Sequence, residues 1–147
     1  MTRIELTVAR LWLEEGCRLH PYNDATGKTV TCRPSGNLTW LVGCNLETAG
    51  TERLAKVVLT AQLEDFDADL RHCGWYTRLD EARGSVFLDC AFNEGFAGLL
   101  RHAADAVAYA DRLNWIAAQD AFLKMGPAKM LPHRYEPLGR ILLTGVP

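Results

Sequence analysis

The 147-residue chain has no apolar run approaching the roughly 20 residues that a membrane-spanning helix requires, so membrane insertion is not expected. It also lacks the unbroken apolar stretch of a secretory leader, because Arg3, Glu5, Arg10, Glu14 and Glu15 interrupt Met1 to Glu15. Synthesis in the cytosol is therefore expected, and a target outside it would need another factor for release. Excess charge of one sign is missing too. The formal net charge is -2, which argues against nucleic acid as a partner, since phosphates demand a basic surface. There is no CxxC pair, and the five cysteines, Cys17, Cys32, Cys44, Cys73 and Cys90, are an odd number. Neither feature suits a disulfide framework, and the plain reading is free thiols, some of them buried as small hydrophobes. No internal repeat or low-complexity segment occurs.

What is present is an ordinary globular composition, with 48% hydrophobic and 23% charged residues. That is enough for a normal core in one domain spanning 1–147. Residues 3–15 predict an amphipathic helix, with Ile4, Val8, Leu11 and Glu15 at helical spacing and Gly16 as its stop. Residues 16–50 are broken by Pro21, Gly27, Pro34, Gly36, Gly43 and Gly50. Within them Thr29–Thr31 and Leu38–Val42 read as strands of a small β-hairpin or ribbon. Thr51 is placed to cap a long helix running to about His72, with Gly74 ending it. Beyond it, helices are expected at 80–92, 96–110, 114–124 and 134–143.

The expected architecture is therefore α+β: a β-lobe at 16–50, a connecting helix at 51–73, and a helical lobe built from 1–15 and 74–147. Two lobes joined by one long helix leave a cleft, and an open groove suits a polymer. Trp75, Trp115, Phe122 and Tyr135 read as core residues, and His72, His102 and His133 as surface or helix-end residues. The basic stretch from Lys124 to Arg140 reads as a solvated helix face.

Two carboxyl groups flanking a scissile bond are the usual equipment for glycoside hydrolysis. Glu15 stands at the C-terminal end of the first helix, where the negative end of the dipole disfavours a carboxylate and should raise its pKa, as a general acid requires. Asp24 follows in a polar turn and should stay ionised, and Thr39 in a strand offers a hydroxyl to hold a water. Cys17, His20, Cys32 and Cys44 supply zinc-ligand residue types, but without a paired knuckle no metal is assigned to them. A Cys32–Cys44 disulfide stays open for an oxidising compartment.

The segment Glu15-Gly16-Cys17-Arg18-Leu19-His20-Pro21-Tyr22-Asn23-Asp24 resembles the catalytic segment of the phage-type lysozyme family. Gly36-Asn37-Leu38-Thr39-Trp40-Leu41-Val42-Gly43-Cys44-Asn45-Leu46 resembles its next block, and Ala91-Phe92-Asn93-Glu94-Gly95 with Gly98-Leu99-Leu100 resembles its helical-lobe motif. Trp115-x-x-Ala118 and Arg140 to Gly145 also fit. Each motif is short, but their order along nearly the whole chain is fairly specific. The resemblance implies a cofactor-free, monomeric muramidase that cuts peptidoglycan glycan strands between N-acetylmuramic acid and N-acetylglucosamine, as an endolysin does. It implies Glu15, Asp24 and Thr39 as the catalytic triad, and Tyr22, Asn45, Phe92 and Asn93 as groove residues. Thr29 and Thr31 are rivals to Thr39, because the gap after Asp24 is long. Leu41 stands where a glycine is usual and Cys44 where His or Arg is usual, and Met125 to His133 lacks a common Arg-Trp. These departures keep a second reading open, a module that grips peptidoglycan or a protein without cutting. A third is the lytic transglycosylase reaction, which needs only the one acid.

Overall fold

The computed structural model describes residues 1–15, 17, 39–40, 44–45 and 51–147, with backbone alone for 39–40 and 44–45. Among them are eight helices: α1 (Arg3–Glu15), α2 (Glu52–Arg71), α3 (Gly74–Thr77), α4 (Glu81–His102), α5 (Ala104–Asp111), α6 (Trp115–Leu123), α7 (Gly126–Met130) and α8 (Pro132–Thr144). The described strands are β1 (Thr39–Trp40) and β2 (Cys44–Asn45), paired antiparallel with Thr39 opposite Asn45.

This corrects the expected α+β class: the described chain is mostly helical. Among the described residues each strand holds two residues, too few to found a lobe. Strand propensity marks residues that fit a pleated surface but does not set how far a strand runs. Of the expected strand from Leu38 to Val42, Thr39 and Trp40 are described, with Trp40 opposite Cys44. The expected strand at Thr29–Thr31, most of the proposed β-lobe at 16–50, and the cleft wall it was to form lie outside the described residues.

The core is organised around α4. From Gly84 to Ala91 every residue is buried, so this stretch is covered on all sides, as a helix inside a bundle must be. Helices α1, α2 and α8 pack around it. On α1 the fully covered face runs through Arg3, Leu6, Thr7 and Leu11, while Ile4 and Val8 are only half-buried. Arg3 can enter the core because its guanidinium finds acceptors there. It donates to the Tyr76 and Leu79 carbonyls at 3.3 and 3.2 Å and pairs with Glu81 at 3.1 Å. Glu81, so paired, has its pKa held below the usual carboxylate range. Gly84 leaves the room, for a Cβ there would lie 2.8 Å from that guanidinium.

Helix boundaries follow local chemistry. Thr51 caps α2 as expected, its hydroxyl accepting from the Leu54 amide, and Asp80 and Asn114 cap α4 and α6 in the same way. Gly74 opens the single turn of α3 rather than ending α2, which stops at Arg71. The separate helices expected at 80–92 and 96–110 meet differently. Helix α4 continues through Asn93 and Glu94, bends at Gly95 (φ 71°, ψ 162°), and runs on to His102 before α5 begins. Tyr135 and Phe122 are buried and pack ring against ring at 5.5 Å, in keeping with their core reading. No described helix is long and apolar enough to cross a membrane.

Candidate functional site

The last two turns of α1 bring Arg10, Glu14 and Glu15 to the flank of α4. Arg10 and Glu14 are four residues apart and so share a face of the helix. Opposite them, α4 presents Asp89 and Asn93, again four apart. The N-terminal turn of α8 presents Arg134.

Arg134 is the hub. Its side chain is 11% exposed, and it donates through Nη1 to Glu15 at 2.6 Å and through Nη2 to Asp89 at 3.2 Å. Its Nε lies 3.4 Å from the Glu14 carboxylate without a well-directed hydrogen bond. Asp89 is completely buried, yet fully partnered. It accepts from Arg10 Nε at 2.8 Å, from Arg134, and from the Asn93 amide at 3.0 Å. A buried charge is tolerable only with this kind of pairing. Arg10 also donates to the Ser85 carbonyl at 2.9 Å, which fixes it to α4.

Three carboxylates therefore share two guanidiniums, and they are not equivalent. Asp89 is held by both. Glu15 meets Arg134 while leaving half of its side chain, 49%, in solvent. Glu14 makes the loosest contact, and burial together with the nearby Asp89 charge pushes its pKa above the usual carboxylate range. Its exposed neighbour Glu15 is met by the Arg134 guanidinium.

The sequence-predicted residues fall in four places. Glu15 and Asn93 come together around Arg134 and Asp89, although Asn93 turns its amide toward Asp89. Phe92, next to Asn93, is half-buried against the core. Thr39 and Asn45 face each other in the ribbon at the level of the backbone. Tyr22 and Asp24, like the rivals Thr29 and Thr31, lie outside the described residues, so the carboxyl pair Glu15–Asp24 has no described separation. Of the zinc-type ligands only Cys17 is described beyond its backbone, and it is a free thiol, as are Cys73 and Cys90. Among the described residues no three metal-capable side chains gather.

Arg134, Asp89, Arg10 and Glu14 were missed from sequence. Arg134 hid in the basic stretch read as a solvated face, where its near-complete burial corrects that reading. Spacing held a signal for the others: Asp89 lies one turn before Asn93, and Arg10 one turn before Glu14.

No protein-family model matches the chain, and no curated protein matches it.

Proposed function

We propose that the chain is a peptidoglycan hydrolase of the phage-type lysozyme kind. It would cleave the glycosidic bond between N-acetylmuramic acid and N-acetylglucosamine, with Glu15 as the general acid. The observation that supports this reading best is a convergence. Glu15 opens the first family-like motif and Asn93 belongs to the third, and both meet the Arg134–Asp89 pair. Glu15 reaches Arg134 and Asn93 reaches the Asp89 that Arg134 also holds, so residues of two separate motifs stand one partner apart.

In this reading the Glu15 carboxyl protonates the leaving glycosidic oxygen, Asp24 assists a water, and Thr39 positions that water. Glu15 is suited to substrate because half of it reaches solvent while Arg134 fixes its rotamer from behind. Arg134 meets Oε1 of Glu15, so the donated proton is carried on Oε2 and the Arg134 contact is kept as the sugar arrives. No cofactor is called for. The protein would work as a monomer on wall glycan, after another factor has released it from the cytosol of a phage host.

The Glu15–Arg134 contact also favours a second reading. A carboxylate already engaged by a cation suits a module that binds wall glycan without cutting it. The experiment that separates the two is the appearance of new reducing ends when purified peptidoglycan is incubated with the protein. For the enzyme, Glu15→Gln lowers the rate by about 10²–10⁴ while the circular dichroism spectrum stays unchanged. A Glu15→Gln variant as active as the parent rules Glu15 out as the acid. Binding with no new ends from the parent selects the second reading.

A further inference from the structure

The residue just before the α4 bend joins three pieces of the molecule. Glu94 is 9% exposed, and both of its carboxylate oxygens are occupied. One accepts from the Tyr135 hydroxyl at 2.6 Å, and the other meets His102 Nδ1 at 2.6 Å. Residues eight apart in a straight helix are separated by about 12 Å along its axis, so Glu94 and His102 could not touch without a sharp bend. Gly95 supplies that bend. Gly98 supplies the clearance, because a Cβ there would lie 2.9 Å from the Glu94 Cβ. Tyr135, at the other end of the bridge, is only 2% exposed, and its sequence neighbour is Arg134.

We propose that Glu94 is a positioning residue that anchors the first turn of α8, through Tyr135, so that Arg134 is held at the correct distance from Glu15. The proposal rests on the reading of Arg134 and Glu15 as parts of a working site. Two ties then hold the start of α8 to α4, one through Arg134 to Asp89 and one through Tyr135 to Glu94. Consecutive residues on a helix point about 100° apart, so the two ties pull in different directions and fix the rotation of α8 as well as its distance. With the second tie cut, α8 can roll, and Arg134 follows. His102 serves the tie indirectly by holding the second oxygen of Glu94 and stopping that carboxylate from turning away.

The test compares Tyr135→Phe, which deletes only the hydroxyl, with the parent. Two quantities are read: the solvent-exchange rate of the Arg134 Nε–H in ¹⁵N NMR, and kcat and KM separately on soluble peptidoglycan fragments. The expected result is Nε–H exchange at least several-fold faster, and kcat lowered about tenfold with KM unchanged, the scale of one buried hydrogen bond. If Tyr135→Phe fails to fold, Glu94→Met, which removes the acceptor at similar volume, is read in the same way. Unchanged Arg134 exchange in a folded variant overturns the proposal even where kcat falls. A parent protein that cuts no glycan overturns the hydrolase reading instead, and the exchange measurement still decides whether Glu94 anchors Arg134.

Discussion

Asp89 and Asp120 show how differently two ion-paired aspartates contribute. Asp89 is completely buried between Arg10 and Arg134, whereas Asp120 pairs with Lys124 on the surface with both side chains more than 60% exposed. Removing one partner of a buried pair strands the others, at a cost of about 3–5 kcal/mol, while an exposed helical pair contributes about 0.3–0.5 kcal/mol. Asp89→Ala is therefore expected to lower the urea midpoint sharply and Asp120→Ala hardly at all. Equal midpoints would mean that the cluster is not the buried network described. Glu14 makes a second prediction at this scale. Its folded-state pKa is raised, so its stabilising share is complete below the ordinary glutamate pKa of about 4.3 and is lost as pH rises through the folded value. Glu14→Gln, which imitates the protonated form, should match the parent in acid and exceed it in stability at neutral pH. Parallel stability curves for the two proteins across that range would refute the assignment. Glu81 has the opposite sign: its lowered pKa supplies stability that is present above the ordinary glutamate value and lost as pH falls through the folded one.

The bend in α4 rests on one glycine. At φ 71° and ψ 162°, Gly95 occupies backbone space that is essentially closed to residues with a Cβ, yet nothing lies within 4 Å of where that Cβ would sit. The cost of Gly95→Ala is thus backbone strain without a clash, about 1–3 kcal/mol. Gly126 has equally open surroundings and no such φ, so Gly126→Ala serves as the control and should not destabilise. Thermal melts of the two variants check this, and similar melting temperatures would contradict it. The Asn93-Glu94-Gly95 stretch shows what sequence can and cannot give about an element. The interruption was visible from the glycine, but it was placed as a loop between separate helices. Asn93 bonds to Asp89 one turn earlier, but Glu94 is held by Tyr135, a distant partner that period and propensity do not contain. The same holds for α3 and α7, single turns too short to show a period. Helices α1 and α2 were legible because the apolar spacing of the one and the Thr51 cap of the other are local.

For the whole molecule, most of the legible fold was local and most of the missed site was not. Helix position and motif resemblance pointed to Glu15, and motif resemblance to Asn93, but Arg134, the partner of Glu15 and of the Asp89 that Asn93 meets, lies over a hundred positions from Glu15 and carries no local mark of burial. The expected β-lobe failed for a related reason. Strand-forming residues were counted correctly at 39–40, but a strand lives on partners and a face to cover, and the described core is made by helices alone. What unites the molecule is α4, buried along half its length and tied by ion pairs or hydrogen bonds to α1 and α8. The proposed chemistry sits where those three helices meet. The most direct measurement of that account is mass spectrometry of the soluble products released from purified peptidoglycan. The account predicts fragments ending in hydrated, reducing N-acetylmuramic acid, and their loss with Glu15→Gln. Anhydro-muramic ends would replace hydrolysis with the transglycosylase reaction, and no soluble fragments at all from the folded parent protein would contradict an enzyme built around Glu15.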